Sequence, residues 1–338
     1  MKNLIALCGA MIFMVIAAAQ PIQNTSFFNQ WSAFSETPIS WTIKTDMKKL
    51  LKDRTKDVYQ AAQLSYISED GTSVSWKIQL KTRGNTRKSV CVYPPIKIKF
   101  KKDDLKNRGF HPINKIKIVN QCRSSDNGAD YLFKEYLTYW MYHQITPYSF
   151  KAHLAQIRFI DINGKTKERL LNAIILEPVK DIEQRLFGTE IERETSAMKH
   201  MAKDPLKRMS IFQYMIGNTD WGVSNLHNLK IIKVAEERKV VPIPYDFDYA
   251  GIVNTDYAVP HESFPIDKVT DRLYRGPECK GGEARAYMQF FLKKEAEIVH
   301  YLQTFPHLES RSKKEMLDYL DGFFSYLRRR QDDRNVSF

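Results

Sequence analysis

Two short stretches of the chain carry residue types that can do chemistry together. The first is Gly217-Asn-Thr-Asp-Trp-Gly-Val-Ser-Asn-Leu-His-Asn228, a loop offering Asp220, Asn225, His227 and Asn228 after a helix-like segment. The second is Tyr245-Asp-Phe-Asp-Tyr-Ala-Gly251, which holds Asp246 and Asp248. Between them, Asn228-Leu-Lys-Ile-Ile-Lys-Val234 and Lys239-Val-Val-Pro-Ile-Pro-Tyr245 read as two strands around a charged turn. A hairpin sets the start of its first strand beside the end of its second. Asn228 and Asp246 are therefore expected to be neighbours, with Asp220 within reach on the entering loop. Carboxylates and an amide oxygen converging on one point suit a hard divalent cation such as Mg²⁺, which shares its coordination with substrate phosphates. A further Asp can orient or deprotonate a nucleophile. Taken singly, each residue is as well explained by a turn, a helix cap or an ion pair; it is the set on one hairpin that points to a site. His227 reads as a hydrogen-bond partner that shapes the loop.

The elements that must position this set divide near Pro178. From about residue 40 to 120 the pattern is mostly strands: Val74, Trp76, Ile78 and Leu80 alternate with polar residues, and so does Ile96-Lys-Ile-Lys-Phe100. Leu132, Phe133, Tyr136, Leu137, Trp140 and Met141 recur at helical spacing over 129–145, and Glu135 lies among them. A strand pair around Asn163-Gly164 follows. After Pro178 the segments 180–188, 191–202, 205–216 and about 284–331 read as helical.

The first residues have the layout of a secretory signal: Lys2, an apolar run from Leu4 to Ala19, and small residues before Gln20. The expected organisation is a signal peptide over 1–19, a linker or loosely docked arm over 20–38, a strand-rich part over 39–178 and a helical part over 179–338. The chain is thus expected to be exported (periplasmic, cell-surface or secreted), with no stable membrane span after cleavage near Ala19. Cys91, Cys122 and Cys279 would remain; Cys91 and Cys122 flank two strand-like segments and are candidates for a pair, and the spacing fits no zinc pattern. The formal net charge is +13. Its lysines and arginines are spread along the chain, which reads as a solvated surface, and nucleic acid is not an expected partner.

Four pieces, in order, resemble the CotH-like family of secreted atypical kinases, with a weaker likeness to the HipA-type kinases. They are Arg83-Gly84-Asn85-Thr86, Pro94-Pro-Ile-Lys-Ile-Lys-Phe100, Asn218-Thr-Asp220 through His227-Asn228-Leu229, and Pro244-Tyr-Asp246-Phe-Asp248. Cys91-Val-Tyr-Pro-Pro departs from the Lys-Lys-Pro stretch usual in that family, and Tyr245 replaces a Trp. The resemblance implies an α+β, two-lobed, protein-kinase-like fold with a strand-rich N-terminal lobe and a helix-rich C-terminal lobe. It implies transfer of a nucleotide γ-phosphate to protein hydroxyls, with ATP or another nucleoside triphosphate and Mg²⁺ or Mn²⁺ as cofactors and an envelope or extracellular protein as substrate. Asp220 would be the catalytic-loop Asp. Asn228 and Asp246 would hold the metal with help from Asp248, and Asn225 competes with Asn228 by spacing. Arg83, Gly84, Asn85 and Thr86 would cover the phosphates. Lys97 or Lys99, which share a strand face, would contact them, with Glu135 as partner. Glu177 would sit at a hinge near the adenine. Two other classes share these residues: a catalytically silent binding or assembly protein of the envelope, and a metal-dependent phosphoesterase with water as acceptor.

Overall fold

The computed structural model describes residues 25–123, 126–191, 198–333 and 335–338. The expected signal segment 1–19, its cleavage position and the middle of the helix-like stretch 191–202 lie outside the described residues. Seven strands form a closed barrel: β1 (Ile39–Thr45), β2 (Gln60–Ile67), β3 (Ser73–Thr82), β4 (Ile96–Phe100), β5 (Lys115–Asn120), β6 (Ala152–Asp161) and β7 (Arg169–Leu176). Their order is β1-β2-β3-β4-β5-β7-β6. Neighbours are antiparallel except β1 and β6, which close the barrel in parallel from Ile39↔Ala155 to Thr45↔Asp161. A second sheet has the order β10-β9-β8, from β8 (Gly188–Glu190), β9 (Leu229–Val234) and β10 (Val240–Pro244). The described helices are α1 (Met47–Lys52), α2 (Thr86–Val90), α3 (Lys102–Asn107), α4 (Asp126–Ile145), α5 (Val179–Arg185), α6 (Lys203–Met215), α7 (Gly281–Leu292), α8 (Glu295–Thr304) and α9 (Ser310–Arg330).

Period-two alternation fills the barrel. Trp41, Ile43, Leu64, Trp76, Ile78, Leu80, Ile96, Ile98, Ile116 and Ile118 form one buried cluster. Phe27 joins it, with its ring centroid 4.5 Å from Phe100 and 5.4 Å from Trp76. Burial of so large an apolar ring is a strong anchor, so the stretch expected as a linker or loose arm supplies a central core residue. On the outside of the barrel, Val119, Leu154, Ile174 and Leu176 share a second core with Leu132, Tyr136 and Leu137 of α4 and with Phe212 and Phe247.

This topology overturns the expected two-lobed, protein-kinase-like architecture. Alternation in a strand says which face is apolar but not which strand it pairs with. The seven-residue parallel match of β1 to β6 closes the sheet on itself and leaves no open edge. Helix α4 then packs on the outer wall against β6 and β7, and one core runs from β5, β6 and β7 through it into the helical part. Glu177, expected at a hinge, is buried at the end of β7, where both carboxylate oxygens accept from Arg185 at 2.9 Å and one also accepts from the Lys151 amide at 2.8 Å.

Cys91 and Cys122 form a disulfide that ties the end of α2 to the residues just after β5. Closing a loop of 31 residues in the unfolded chain is worth about 3–4 kcal/mol in the chain-entropy view. The double variant Cys91→Ser/Cys122→Ser is therefore expected to lose stability of this order in a urea titration, and a loss below about 1 kcal/mol would contradict it.

Candidate functional site

The hairpin of β9 and β10 does what its sequence suggests. Pro244 lies opposite Leu229, and the Tyr245 amide donates to the Asn228 carbonyl at 3.0 Å, so Asn228 and Asp246 flank the same end of the ladder. Both have left-handed backbones, φ 51° at Asn228 and 66° at Asp246, a conformation Asn and Asp tolerate best among non-glycine residues. Gly217 opens the loop with φ 64°, in a place where a Cβ would strike the Tyr319 hydroxyl. Asp220 is then held from three sides. Its amide donates to Asn218 Oδ1 at 2.9 Å, its Oδ1 lies 2.8 Å from His227 Nε2, and its Oδ2 accepts from Asn228 Nδ2 at 2.9 Å. Because the Asn228 amide nitrogen is spent on Asp220, its Oδ1 is left for another ligand. Asn225 sits on the exposed loop tip, where its Oδ1 accepts from the His227 amide at 3.2 Å.

Behind this loop stands a buried charge cluster whose centre the sequence did not indicate. Arg87, on α2, donates to Asp248 at 2.6 Å and to Glu135 at 2.7 Å, and lies 3.5 Å from Asp246. Arg87, Glu135 and Asp248 are all buried. The Tyr257 hydroxyl also donates to Asp248 at 3.0 Å. On α4, Tyr139 lies one turn after Glu135, and its hydroxyl accepts from the Asp246 amide at 2.8 Å. Glu135 thus pairs with Arg87 rather than with Lys97, and Asp248 faces the guanidinium rather than Asn228. One guanidinium does not neutralise three carboxylates. Burial first, and then the neighbouring carboxylates, hold Glu135 and Asp246 above the ordinary carboxylate range against the pull of Arg87. Glu135 Oε1 is buried without a hydrogen-bond partner.

On the other side of Asp246 lies a crowd of cations. Lys81, Lys97 and Lys117 stand in register on adjacent strands β3, β4 and β5, on the face opposite the barrel core. Arg83 follows β3 directly, and Gly84, at φ 94°, makes the turn through Asn85 and Thr86 into α2. Lys99 is one row further from this corner and lies 5.5 Å from the Tyr59 ring. Lys117 is half-buried, with its ammonium 4.9 Å from the Tyr245 ring centroid. Burial pushes this ammonium down to about 7, and Arg83, Lys230 and Lys97 push in the same direction, while Asp246 opposes them. Lys97 is lowered for the same reasons, burial first and then Lys81 and Arg83.

A stability consequence follows. Folded Lys117 gives up its proton near 7 whereas the unfolded residue keeps it to about 10.5. The unfolded chain binds more protons in that window, so this group makes stability rise with pH across it and costs stability below it. Lys117→Met should therefore raise stability at neutral pH by about 1–2 kcal/mol, after discounting for partial exposure, and should flatten the rise between pH 7 and 10. Thermal melts of the two proteins across that range check it; a less stable variant at pH 7 would contradict it.

The sequence-derived residues thus form two groups. Asp220, Asn228 and Asp246 meet at the hairpin end, joined by Glu135 and Asp248 through Arg87 and by Arg83 and Lys97 through Lys117. Glu177, fixed by Arg185, is not among them. Asn85 and Thr86 are exposed on the turn, with Thr86 reaching the Tyr249 hydroxyl. Asp220 and His227 also line a cavity of about 780 Å³ with Tyr249, Phe264 and Arg275, beneath the stretch that carries His261 and Ser263. Among the described residues, no group of three or more His, Cys, Asp or Glu side chains is arranged to hold a metal ion. Two of the acids are already taken by Arg87, which leaves Asp246 and the Asn228 oxygen. That donor set fits Mg²⁺ or Mn²⁺ only as a cation shared with substrate phosphates, the usual habit of Mg²⁺.

Sequence reasoning missed Arg87 and Lys117. Arg87 stands directly after the Arg83-Gly84-Asn85-Thr86 motif, and only its burial distinguishes it. Lys117 could have been found from parity, since it faces the same way as Lys97 once β4 and β5 are paired. Comparison with protein-family models and with curated proteins finds no match for this chain.

Proposed function

We propose that the chain is a phosphotransferase of the CotH-like kind, moving a terminal phosphoryl group from a phosphoanhydride donor to a hydroxyl, with a divalent cation. The donor implied by the resemblance is a nucleoside triphosphate. One observation carries the reading: half-buried cations that form no salt bridge among the described residues (Arg83, Lys97, Lys117) crowd together at one corner of the barrel, where Arg83 and Lys117 feel the charge of Asp246, the neighbour of Asn228 at the hairpin end. Cations pressed together in this way call for anions, and Asp246 beside them keeps an oxygen for a metal ion; a metal-bound phosphate chain satisfies both.

Each side chain has a part in such a transfer. When bound, the cation would be held by Asn228 and Asp246 and would neutralise charge on the phosphate oxygens. Lys97, Lys117 and Arg83 hold the phosphates and receive the charge that builds on the leaving group as its phosphoanhydride bond breaks. Asp220, fixed by Asn228 and His227, orients the acceptor hydroxyl in the adjoining cavity and takes its proton as the new P–O bond forms. Arg87 keeps Asp246 and Asp248 in place. Transfer of labelled γ-phosphate in Mg²⁺ or Mn²⁺ to a hydroxyl-bearing protein is the expected outcome. Release of inorganic phosphate alone would instead support a phosphoesterase, and no turnover together with no thermal shift by nucleotide and metal would support a silent binding protein.

A further inference from the structure

The lysine face does not stop where a triphosphate would. In the row nearest Asp246, Lys81, Lys97 and Lys117 lie directly opposite one another across β3, β4 and β5. In the next row, Lys99 lies directly opposite Lys115. Like charges set directly opposite one another destabilise a sheet. Of these five, only Lys81 has a carboxylate partner among the described residues, the exposed Asp57. Some lysines elsewhere do meet a carboxylate, as Lys134 meets Glu315, Lys207 meets Glu283 and Lys230 meets Glu190. What sets the stripe apart is its register, five lysines facing one another directly across three strands. Rows along a strand are about 7 Å apart and adjacent strands about 5 Å apart, so the stripe forms a two-row patch that leads away from the hairpin.

Charge placed this way discriminates between donors. Beyond its phosphates a nucleotide presents a neutral ribose and a flat base, which call for hydroxyl partners and a stacking surface. The second row offers ammonium groups instead. The Tyr59 ring beside it carries Lys81 and Lys99, 4.9 and 5.5 Å from its centroid, so a base stacking there would compete with two ammonium groups. We propose that the outward face of β3, β4 and β5 is a binding track for a linear chain of phosphates longer than three, continuous with the phosphoryl site at Asp246. The inference rests on reading Lys97 and Lys117 as phosphate contacts. A phosphoanhydride polymer and a phosphodiester polymer share this chemistry, and the engagement of the Tyr59 ring by lysines favours the first.

The test is titration calorimetry at fixed ionic strength, with affinities compared per phosphate. Long-chain inorganic polyphosphate, tripolyphosphate, ATP and duplex DNA are each titrated into wild type and into Lys99→Gln/Lys115→Gln, two changes that neutralise the second row without reversing its charge. Long-chain polyphosphate should bind the wild type more tightly than tripolyphosphate, and the double variant should lose about tenfold or more for the long chain. Its affinity for tripolyphosphate and ATP should fall by no more than about threefold, because these ligands touch only the first row and feel the second through screened charge about 7 Å away. Equal losses for long and short chains, no loss at all, or DNA binding as tightly as polyphosphate would overturn the track. Selective long-chain binding in a protein that transfers no phosphate would keep the track and remove the phosphotransferase reading. Transfer from ATP with no selective long-chain binding would do the reverse.

Discussion

Arg87→Met should cost about 3–5 kcal/mol of folding stability, the largest single-residue effect expected outside the barrel core. The side chain is buried and bridges α2, α4 and the segment after β10 through Glu135, Asp246 and Asp248. Removing it leaves Glu135 and Asp248 buried without the cation they bond and Asp246 with only the more distant Arg83 and Lys117, and the penalty comes from those abandoned charges more than from the lost pair. The sign of the pH dependence follows. Glu135 and Asp246 are held above their ordinary range in the folded protein, so the folded state binds protons more readily than the unfolded one. Their contribution to stability is fullest at low pH and is lost as pH rises through the folded values. Without Arg87 this dependence should steepen, and the deficit should shrink as the solution is acidified. Urea titrations at several pH values measure it. Adding Glu135→Gln and Asp248→Asn should recover part of the loss at neutral pH; a deficit independent of pH and not relieved by neutralising partners would show that Arg87 acts through packing alone.

Asp220→Ala should lower phosphoryl transfer by at least about 10²-fold while leaving the fold nearly as stable. Asp220 is half-exposed, and its carboxylate reaches only His227 and Asn228, so its removal opens no cavity in the core. Two effects add in the same direction. The acceptor hydroxyl loses the group that orients it and takes its proton, and the Asn228 amide loses one of its two acceptors, keeping the Asp220 carbonyl. Asp220→Asn tests the first effect more narrowly, since it keeps the size of the side chain. Initial rates of labelled phosphate transfer, with melting curves on the same preparations, separate chemistry from folding. Transfer within threefold of wild type in Asp220→Ala would remove Asp220 from the reaction.

The hairpin was legible because its information is local. Two apolar runs, a charged turn and flanking Asp and Asn residues suffice to bring Asn228 beside Asp246, and the contacts of Asp220 follow from the loop's length. The barrel was not, because closure depends on β1 meeting β6, a parallel pairing between residues more than a hundred positions apart. That one pairing turns a sheet-rich region into a closed wall with its own interior core, and the outer face of that wall shares a second core with the helical part. Lys97 and Glu135 show the same limit at the level of side chains. Each was recognisable as a candidate, but their partners, Lys117 and Arg87, come from elements whose neighbours are set by that tertiary pairing. Phe27 is a further case: polar surroundings made its segment look like a linker, while a single aromatic ring decides where it goes.

Crystals soaked with Mn²⁺ and a non-hydrolysable ATP analogue test the assignment of the site most directly. The expected result is anomalous density between the Asp246 carboxylate and Asn228 Oδ1, with phosphate density against Lys97 and Lys117. Nucleotide bound elsewhere, or metal density with no contribution from Asp246, would contradict it.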